Sequence, residues 1–401
     1  MFDQLSSLPP DPILGLMAAY RADSNPNKID LGVGVYKDET GTTPVMKAVK
    51  AAESRLLSTQ NSKAYVGPVG LDTFNDSVAE LVFGKELTRK LGARRVTFQT
   101  PGGCGGLRLA AEFIQRIKPG SRILVSDPTW ANHVPLLGDA GLEIETYPYY
   151  DRGCHSIRFD EMMAVLANAG PNDLVLLHGC CHNPCGADLT TEQWQAVATL
   201  ADKNGFIPFI DLAYHGLGDG LDEDAYGLRL LAETVPEMIV VNSCSKNFGL
   251  YRERTGGLSI ITTSEQSSRA AASQVAAIAR GIYSMPPDHG ASVVAEILQD
   301  DTLRQQWDNE LREVRQRINA LRSQLVTALK ARQVAEDFSF IEREKGMFSF
   351  LGLSVAQVQT LVTDYSVYLV DSSRINVAGI NNSNIDYLAD AIANVVASPS
   401  A

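Results

Sequence analysis

Between residues 95 and 261 the chain alternates short, almost wholly apolar runs with segments of helical period, and this alternation limits the fold more than any other feature. Arg95–Gln99, Arg122–Ser126, Glu143–Tyr147, Asp173–His178, Ile207–Asp211, Met238–Ser243 and Gly257–Ile261 read as strands. Helices read over Leu107–Ile117, closed by Lys118-Pro119-Gly120, and over Thr191–Asn204, capped at Gly205. A strand that is apolar on both faces needs cover on both faces. The pattern therefore predicts an α/β fold in which helices cover a mostly parallel sheet. Sheets of that kind bind ligands beyond the carboxyl ends of their strands.

Past residue 300 the rhythm changes. Leu303, Trp307, Leu311, Val314, Ile318, Leu321, Leu325 and Leu329 step by three and four, which predicts one long amphipathic helix over 302–331. Phe348–Leu351, a helix near Val355–Tyr365, Tyr368–Val370, Arg374–Ala378 and a last helix from Asn384 then read as a second, smaller α/β domain. Residues 13–44, rich in turn signals, are expected to pack with it. The expected division is an arm at 1–12, a small domain of 13–44 with 301–401, and a large domain of 45–300. A chain of 401 residues is long enough to bury a core in each domain.

Charge and cysteine content narrow the function classes. Lys and Arg number 35 against 47 Asp and Glu, and the net charge of −12 argues against nucleic acid or an anionic membrane as partner. No apolar run approaches the roughly 18 residues of a membrane span. The opening segment shows no secretory signal and the six cysteines follow no framework spacing, so a cytoplasmic protein with reduced thiols is expected. Cys180-Cys181-His182 with Cys185 is the one metal-like cluster. No second Cys/His pair stands at finger spacing, and no metal is expected.

Three short motifs fall where the sheet would offer its ligand edge. Pro101-Gly102-Gly103-Cys104-Gly105-Gly106 follows a strand and opens a helix, and its four glycines let backbone N–H groups approach an anion at the helix N-terminus. It has neither a Walker Gly-Lys-Ser/Thr nor GxGxxG spacing, and alone it suits tight packing as well as it suits phosphate. Ser243-Cys244-Ser245-Lys246, followed by Arg254, puts a lysine among hydroxyls and an arginine. Such a lysine neutralises phosphate, forms a Schiff base if its pKa falls from about 10.4, or is a plain surface charge. Asp211 ends its strand and either faces the ligand crevice or caps the next turn. Read together they are more specific. A phosphate cradle, a Schiff-base lysine and a carboxylate opposite a pyridinium nitrogen are what pyridoxal 5'-phosphate requires.

The strings NPNKIDLGVGVYKDETGTTP, QTPGGCGGLRLA, SDPTWANH, HGCCHNPCGADLT, DLAYHG, SCSKNFGLYRERTGG and RINVAG stand in the order and spacing of the class I (fold type I) aminotransferases. The chain resembles their aspartate/aromatic branch almost end to end. The resemblance implies the fold type I architecture of pyridoxal-phosphate-dependent transferases, with a large cofactor domain and a smaller one. It also implies a homodimer with shared active sites, acting on amino acids and 2-oxo acids in a ping-pong cycle through the pyridoxal and pyridoxamine forms. By resemblance, Lys246 is the Schiff-base lysine and general acid–base. Asp211 pairs with the pyridinium nitrogen, with His133 and His178 behind it. Asn183 and Tyr214 hydrogen-bond the cofactor's phenolic oxygen, and Trp130 stacks on its ring. Gly103, Cys104, Ser243, Ser245 and Arg254 form the phosphate cup, with Tyr65 reaching in from the neighbouring subunit.

The substrate residues also follow from the resemblance. Arg374 and the backbone of Gly34 match the group that holds the α-carboxylate, helped by Trp130 and Asn183. Arg280 matches the arginine that grips a side-chain carboxylate across the dimer interface, and a planar guanidinium suits both tasks. Cys104 and Cys185 stand where the family usually has hydroxyl residues, and Ala64 and Met285 where the aspartate-selective branch tends to have Asn. Val35, Lys37 and Thr43 look like that branch. The expected reaction moves an amino group from aspartate to 2-oxoglutarate, with tyrosine and phenylalanine as alternative donors. A lyase or decarboxylase would share the cofactor machinery and turn over without a 2-oxo acid. A non-enzymatic binding protein of this fold would need a DNA-binding segment that the length and charge leave no room for. A dinucleotide oxidoreductase leaves Lys246, Asp211 and Arg374 without tasks.

Overall fold

The computed structural model describes residues 2–7 and 12–397; residues 1 and 8–11 of the expected arm lie outside the described residues. The chain divides into two compact units, Pro44–Arg317 and Met1–Thr43 with Ile318–Ala401.

The larger unit is built on a seven-stranded sheet. Its strands are β1 (Arg95–Pro101), β2 (Arg122–Asp127), β3 (Glu143–Pro148), β4 (Asp173–His178), β5 (Ile207–Leu212), β6 (Met238–Ser243) and β7 (Thr255–Ile261). Their order across the sheet is β1-β7-β6-β5-β4-β2-β3. All pairings are parallel except those of β7, which runs antiparallel to both β1 and β6. β6 and β7 are buried along their whole length, including the polar Asn242 and Ser243 of β6 and Thr255 and Ser259 of β7. α1 (Gly102–Ile117) and α3 (Glu265–Ile282) cover one face, where Leu107, Ile114, Ile123, Val125, Leu176, Val241 and Val275 belong to one buried cluster. α2 (Thr191–Asn204) matches the sequence reading: Thr190 and Gln193 close a capping box at its start, and Gly205 ends it in the left-handed conformation.

The helix after β1 starts earlier than expected. α1 begins at Gly102, not Leu107, so the glycine cluster is the first turn of the helix itself. Glycine costs about 1 kcal/mol in a helix, which is why propensity places the start later. Close packing of this turn on the sheet overrides it: a Cβ on Gly106 would lie 2.7 Å from Val241 Cγ1.

In the smaller unit, β8 (Phe348–Phe350) pairs antiparallel with β9 (Arg374–Asn376). Ile29–Asp30 pairs in parallel with Val367–Tyr368, so that strand lies one residue earlier than expected and is shorter. β9 stops at Asn376, short of the expected Ala378, because Val377–Gly379 turns as a 3-10 helix with Ala378 N–H donating to Asn376 Oδ1. Helices Val355–Tyr365 and Ile385–Ala397 pack on each other. The long helix α4 (Asp301–Ala331) forms as one element and straddles the division between the units. Among the described residues no helix is long and apolar enough to cross a membrane.

Candidate active site

The sheet topology gathers the motifs. β1 to β6 end at Pro101, Asp127, Pro148, His178, Leu212 and Ser243, on one edge. β7 runs the other way and therefore starts at that edge, with Thr255 opposite Pro101 and Gly256 opposite Ser243. The segments carrying Gly102–Gly106, Trp130, His133, Asn183, Tyr214, Lys246 and Arg254 all follow or precede strand ends there.

At this edge the first turn of α1 meets the segment after β6. Gly102 has φ +71°, and a Cβ on it would lie 2.5 Å from Arg254 Nη2, so only glycine leaves the guanidinium its place. Arg254, itself at φ +50°, donates to Ser245 Oγ (3.4 Å) and to the Tyr251 carbonyl (3.1 Å). Ser245 N–H donates to Ser243 Oγ at 3.2 Å. The free N–H groups of the helix's first turn, two hydroxyls and a guanidinium make a cradle for an anion. Cys104 lies in that turn; burial raises its thiol pKa, while Arg254 and Lys246 work against the rise.

Asp211 stands at the end of β5 with 7% of its surface exposed. His133 Nε2 lies 3.0 Å from its Oδ2, and His133 Nδ1 lies 2.8 Å from Thr129 Oγ1. Thr129 Oγ1 is 3.1 Å from His178 Nε2, and Asn183 N–H donates to His178 Nδ1 at 3.4 Å. One proton arrangement satisfies every link. His178 Nε2–H donates to Thr129, Thr129 O–H donates to His133 Nδ1, and His133 Nε2–H donates to Asp211. Burial alone would raise the Asp211 pKa, but the hydrogen bond from His133 and the charge of Lys246 outweigh it and hold the carboxyl below its ordinary value. Burial drives His178 well below the ordinary histidine value, in keeping with the neutral form this chain needs. The sequence reading placed both histidines behind Asp211. In the structure His133 touches the carboxylate and His178 reaches it only through Thr129.

Thr129 was not singled out from sequence, although it stands four residues before His133 at the same strand end. His182 was weighed only as a metal ligand. It stacks instead between His178 (3.9 Å between ring centroids) and Tyr149 (4.2 Å), with Ser126 Oγ and Cys185 Sγ on its two nitrogens. Trp130 meets His133 edge-on at 5.2 Å. Asp188 accepts from the N–H groups of Cys181 (2.6 Å) and His182 (2.8 Å) and so fixes the turn that carries Asn183. Cys180, Cys181 and Asp224 also come within metal-ligating distance of one another. Both Asp224 oxygens, however, already accept backbone N–H groups from Gly216, Gly218, Asp219 and Gly220.

The Lys246 side chain lies with Nζ 4.6 Å from the centre of the Tyr214 ring. Burial lowers its pKa from the ordinary lysine value and Arg254 adds to that, while Asp211 and Cys104 pull the other way. A lysine so placed exchanges protons more readily than a solvated one. Arg280, in the last turn of α3, is exposed and donates to Ser284 Oγ. Tyr65 lies between Lys47–Thr59 and Asp72–Phe83 and is 93% exposed.

In the smaller unit Arg374 is buried on β9 and donates from Nη2 to the Gly32 carbonyl at 2.7 Å. Gly34 lies on the same segment as Gly32, which Asn376 Nδ2 holds by donating to the carbonyls of Val33 (2.7 Å) and Val35 (2.8 Å).

The residues of the larger unit fit pyridoxal 5'-phosphate. They supply an anion cradle, a lysine of lowered pKa, and a buried carboxylate kept ionised. The Asn183 side chain is buried, and its Oδ1 has no hydrogen-bond partner among the described residues.

Comparison with known proteins agrees. The family model described as "Aminotransferase class I and II" matches residues 26–392. The aspartate aminotransferase of Escherichia coli (strain K12) is 47% identical over 396 residues, 99% of this chain and 100% of that protein. The aromatic-amino-acid aminotransferase of Paracoccus denitrificans is 46% identical over 395 residues, 98% of this chain and 100% of that protein. The crystal structure of an aromatic-amino-acid aminotransferase from Burkholderia pseudomallei, covalently bound to pyridoxal phosphate, superposes with a TM-score of 0.97 at 41% identity, covering 99% of each chain.

Proposed function

Because the chain belongs to the class I and II aminotransferases and is a pyridoxal-phosphate-dependent transaminase, we propose that it moves the amino group of aspartate to 2-oxoglutarate. Arg280, an exposed guanidinium steadied by Ser284, supports a donor with a side-chain carboxylate. It does not decide the donor, since the resemblance implies that the aromatic branch keeps this arginine too. Val35, Lys37 and Thr43 add to the case for aspartate. Lys37, paired with Asp30 at 2.9 Å, belongs to the residues that favour the same donor.

The proposed division of labour follows from the chain's own groups. The cofactor, when bound, supplies an aldehyde carbon and an electron-accepting ring. Ser243, Ser245, Arg254 and the N–H groups of Gly103 and Cys104 would hold its phosphate. Asn183 and Tyr214 would hold its phenolic oxygen, and Trp130 and Tyr65 would complete the pocket, Tyr65 from a second copy of the chain. Asp211, kept ionised, would hold the proton on the ring nitrogen, with His133 and His178 keeping the carboxylate in place. Lys246 Nζ would hold the cofactor and afterwards carry the proton to and from the substrate α-carbon. Arg374 and the Gly34 backbone would take the α-carboxylate, alongside Trp130 and Asn183. An exposed Tyr65 and an exposed Leu57 support a homodimer with shared sites, and six free thiols support a cytoplasmic setting.

A second reading keeps the chemistry and changes the donor to tyrosine or phenylalanine. Close relatives named for aromatic amino acids favour it. So do Ala64 and Met285, which stand where the aspartate-selective branch tends to have Asn.

Single-turnover absorbance spectroscopy tests both readings. The holoenzyme is expected to change its visible spectrum with aspartate and to recover with 2-oxoglutarate. Equal second-order constants for aspartate and tyrosine would reject the aspartate-selective version. Arg280→Ala is expected to lower the aspartate constant by about a hundredfold and to spare tyrosine. Turnover by Lys246→Ala at the wild-type rate would reject the mechanism.

A further inference from the structure

The smaller unit holds more around Arg374 than a bare carboxylate clamp. The Arg374 guanidinium carbon lies over the Phe348 ring, 4.4 Å from its centre. The same ring fills the space beside Gly34, where a Cβ would come 2.8 Å from Phe348 Cζ. Phe348 therefore touches both groups proposed to meet the substrate's α-carboxylate. One flat side chain sets the guanidinium's plane and the closeness of the Gly34 backbone.

Phe348 is in turn fixed by an unusual buried cation. Arg322, on α4 and 1% exposed, donates from Nη2 to the carbonyls of Lys345 (3.0 Å), Gly346 (2.7 Å) and Phe348 (2.8 Å). Its Nη1 reaches the carbonyl of Ile341 (3.0 Å) and Ser349 Oγ (2.6 Å). Glu344, buried nearby at 3.9 Å, accepts from Ser349 and supplies the opposing charge. A guanidinium has a rigid fork of donors, and here the fork knots the turn before β8 into one shape. From β8 the register passes to β9: Phe348 stands opposite Asn376 and Phe350 opposite Arg374.

We propose that Phe348 is a positioning residue for the transamination reaction, aligning Arg374 for the α-carboxylate of every substrate, and that Arg322 holds Phe348 in place. The inference rests on Arg374 taking that carboxylate. Cation–ring contact is stronger when desolvated, and a ring on the face of the guanidinium sets the plane in which its N–H groups point. Because all amino donors share the α-carboxylate, the effect is blind to the donor's side chain. That separates Phe348 from Arg280.

The test uses holoenzyme carrying Phe348→Leu, Arg322→Lys or Arg374→Lys, with aspartate and tyrosine as donors. Phe348→Leu is expected to raise KM for both donors by roughly tenfold, with kcat changed less than about twofold. Arg322→Lys, which removes the fork and keeps the charge, is expected to raise KM for both donors in the same way. A Phe348→Leu enzyme with unchanged KM, or one losing kcat alone, overturns the proposal. So does a Phe348→Leu enzyme whose KM rises for one donor only, since the α-carboxylate is common to both. If Arg374→Lys leaves KM untouched, the carboxylate reading itself fails and the proposal falls with it. A change in Arg374→Lys without one in Phe348→Leu rejects Phe348 alone.

Discussion

His133 Nε2 lies 3.0 Å from Asp211 Oδ2, and both side chains are withdrawn from solvent. A buried carboxylate that remains ionised needs such a partner, because burial alone would protonate it. The other nitrogen of His133 is occupied by Thr129, so the imidazole cannot turn away. The two residues therefore divide one task between charge and orientation.

That division sets two different mutational costs. Asp211→Asn removes the charge and is expected to lower kcat by about a thousandfold. His133→Asn leaves the charge and removes its support, with an expected loss of ten- to a hundredfold, the worth of one charge-assisted hydrogen bond. Steady-state kinetics at pH 7.5 or thereabouts, about three units above the ordinary carboxyl range, decides the matter. Equal losses in the two variants would contradict the division.

Stability should fall as the solution is acidified. Burial pushes the His182 pKa from 6.5 down to about 3, and burial lowers His178 as well. Across that window the unfolded chain binds protons that the native chain refuses, so unfolding free energy rises with pH and is lost on acidification. Asp188 opposes this. Its pKa is raised by burial from 3.8 to about 6, so the native chain keeps a proton there that the unfolded chain releases. Burial lowers His215 too, so three histidines against one carboxyl leave a net loss below pH 6.5, with a slope of up to about 1.4 kcal/mol per pH unit for each unbalanced group. Urea unfolding from pH 7 to pH 4 is the measurement. His182→Asn should flatten the profile, and an unaltered slope would count against this account.

Gly102→Ala should injure the anion cradle before it injures the fold. The left-handed backbone there costs an alanine about 1–2 kcal/mol, and its methyl group would displace the Arg254 guanidinium. The expected result is pyridoxal 5'-phosphate affinity weakened about tenfold, read by equilibrium dialysis. A variant that bound the cofactor as tightly as wild type would show that Arg254 is not needed in the cradle.

Glu310→Ala should destabilise without touching catalysis. Glu310 accepts from the N–H groups of Lys47 (2.7 Å) and Ala48 (2.9 Å), capping a helix far away in sequence. Losing a cap costs about 1 kcal/mol, visible in the urea midpoint at unchanged kcat.

That same cap explains where the sequence was readable and where it was not. α2 and Val355–Tyr365 carry their own capping boxes, Thr190 with Gln193 and Ser354 with Gln357, and both stand where the sequence places them. Lys47–Thr59 and Asp72–Phe83 start at Met46 and Leu71 with no side-chain cap, and no helix was read there. The first of these takes its cap from Glu310, which no local window contains. The large sheet was legible because strands such as β6 are buried on both faces. Three of the smaller unit's strands lie within a residue or two of the expected ones and the fourth, Ile29–Asp30, falls where only turns are expected, since such short pairings give little period to count. At the site, Lys246, Asp211 and the glycine turn stood out because each ends or follows an apolar strand. Thr129, whose work is done through two histidines, and Phe348, which reads as core, carry no local mark of their role.

The reversed direction of β7 has a consequence for how the charges around the cofactor site are kept together. Ser243 and Thr255 are the last residue of β6 and the first of β7, and both lie on one edge of the sheet. The chain between them never leaves that edge, so Lys246 and Arg254 travel on a single short loop and not on separate crossovers. The tether bounds their separation at roughly 28 Å even if fully extended, and the hydrogen bonds of Arg254 to Ser245 and the Tyr251 carbonyl hold it within the loop. Cutting or lengthening that one loop is the most direct way to uncouple them.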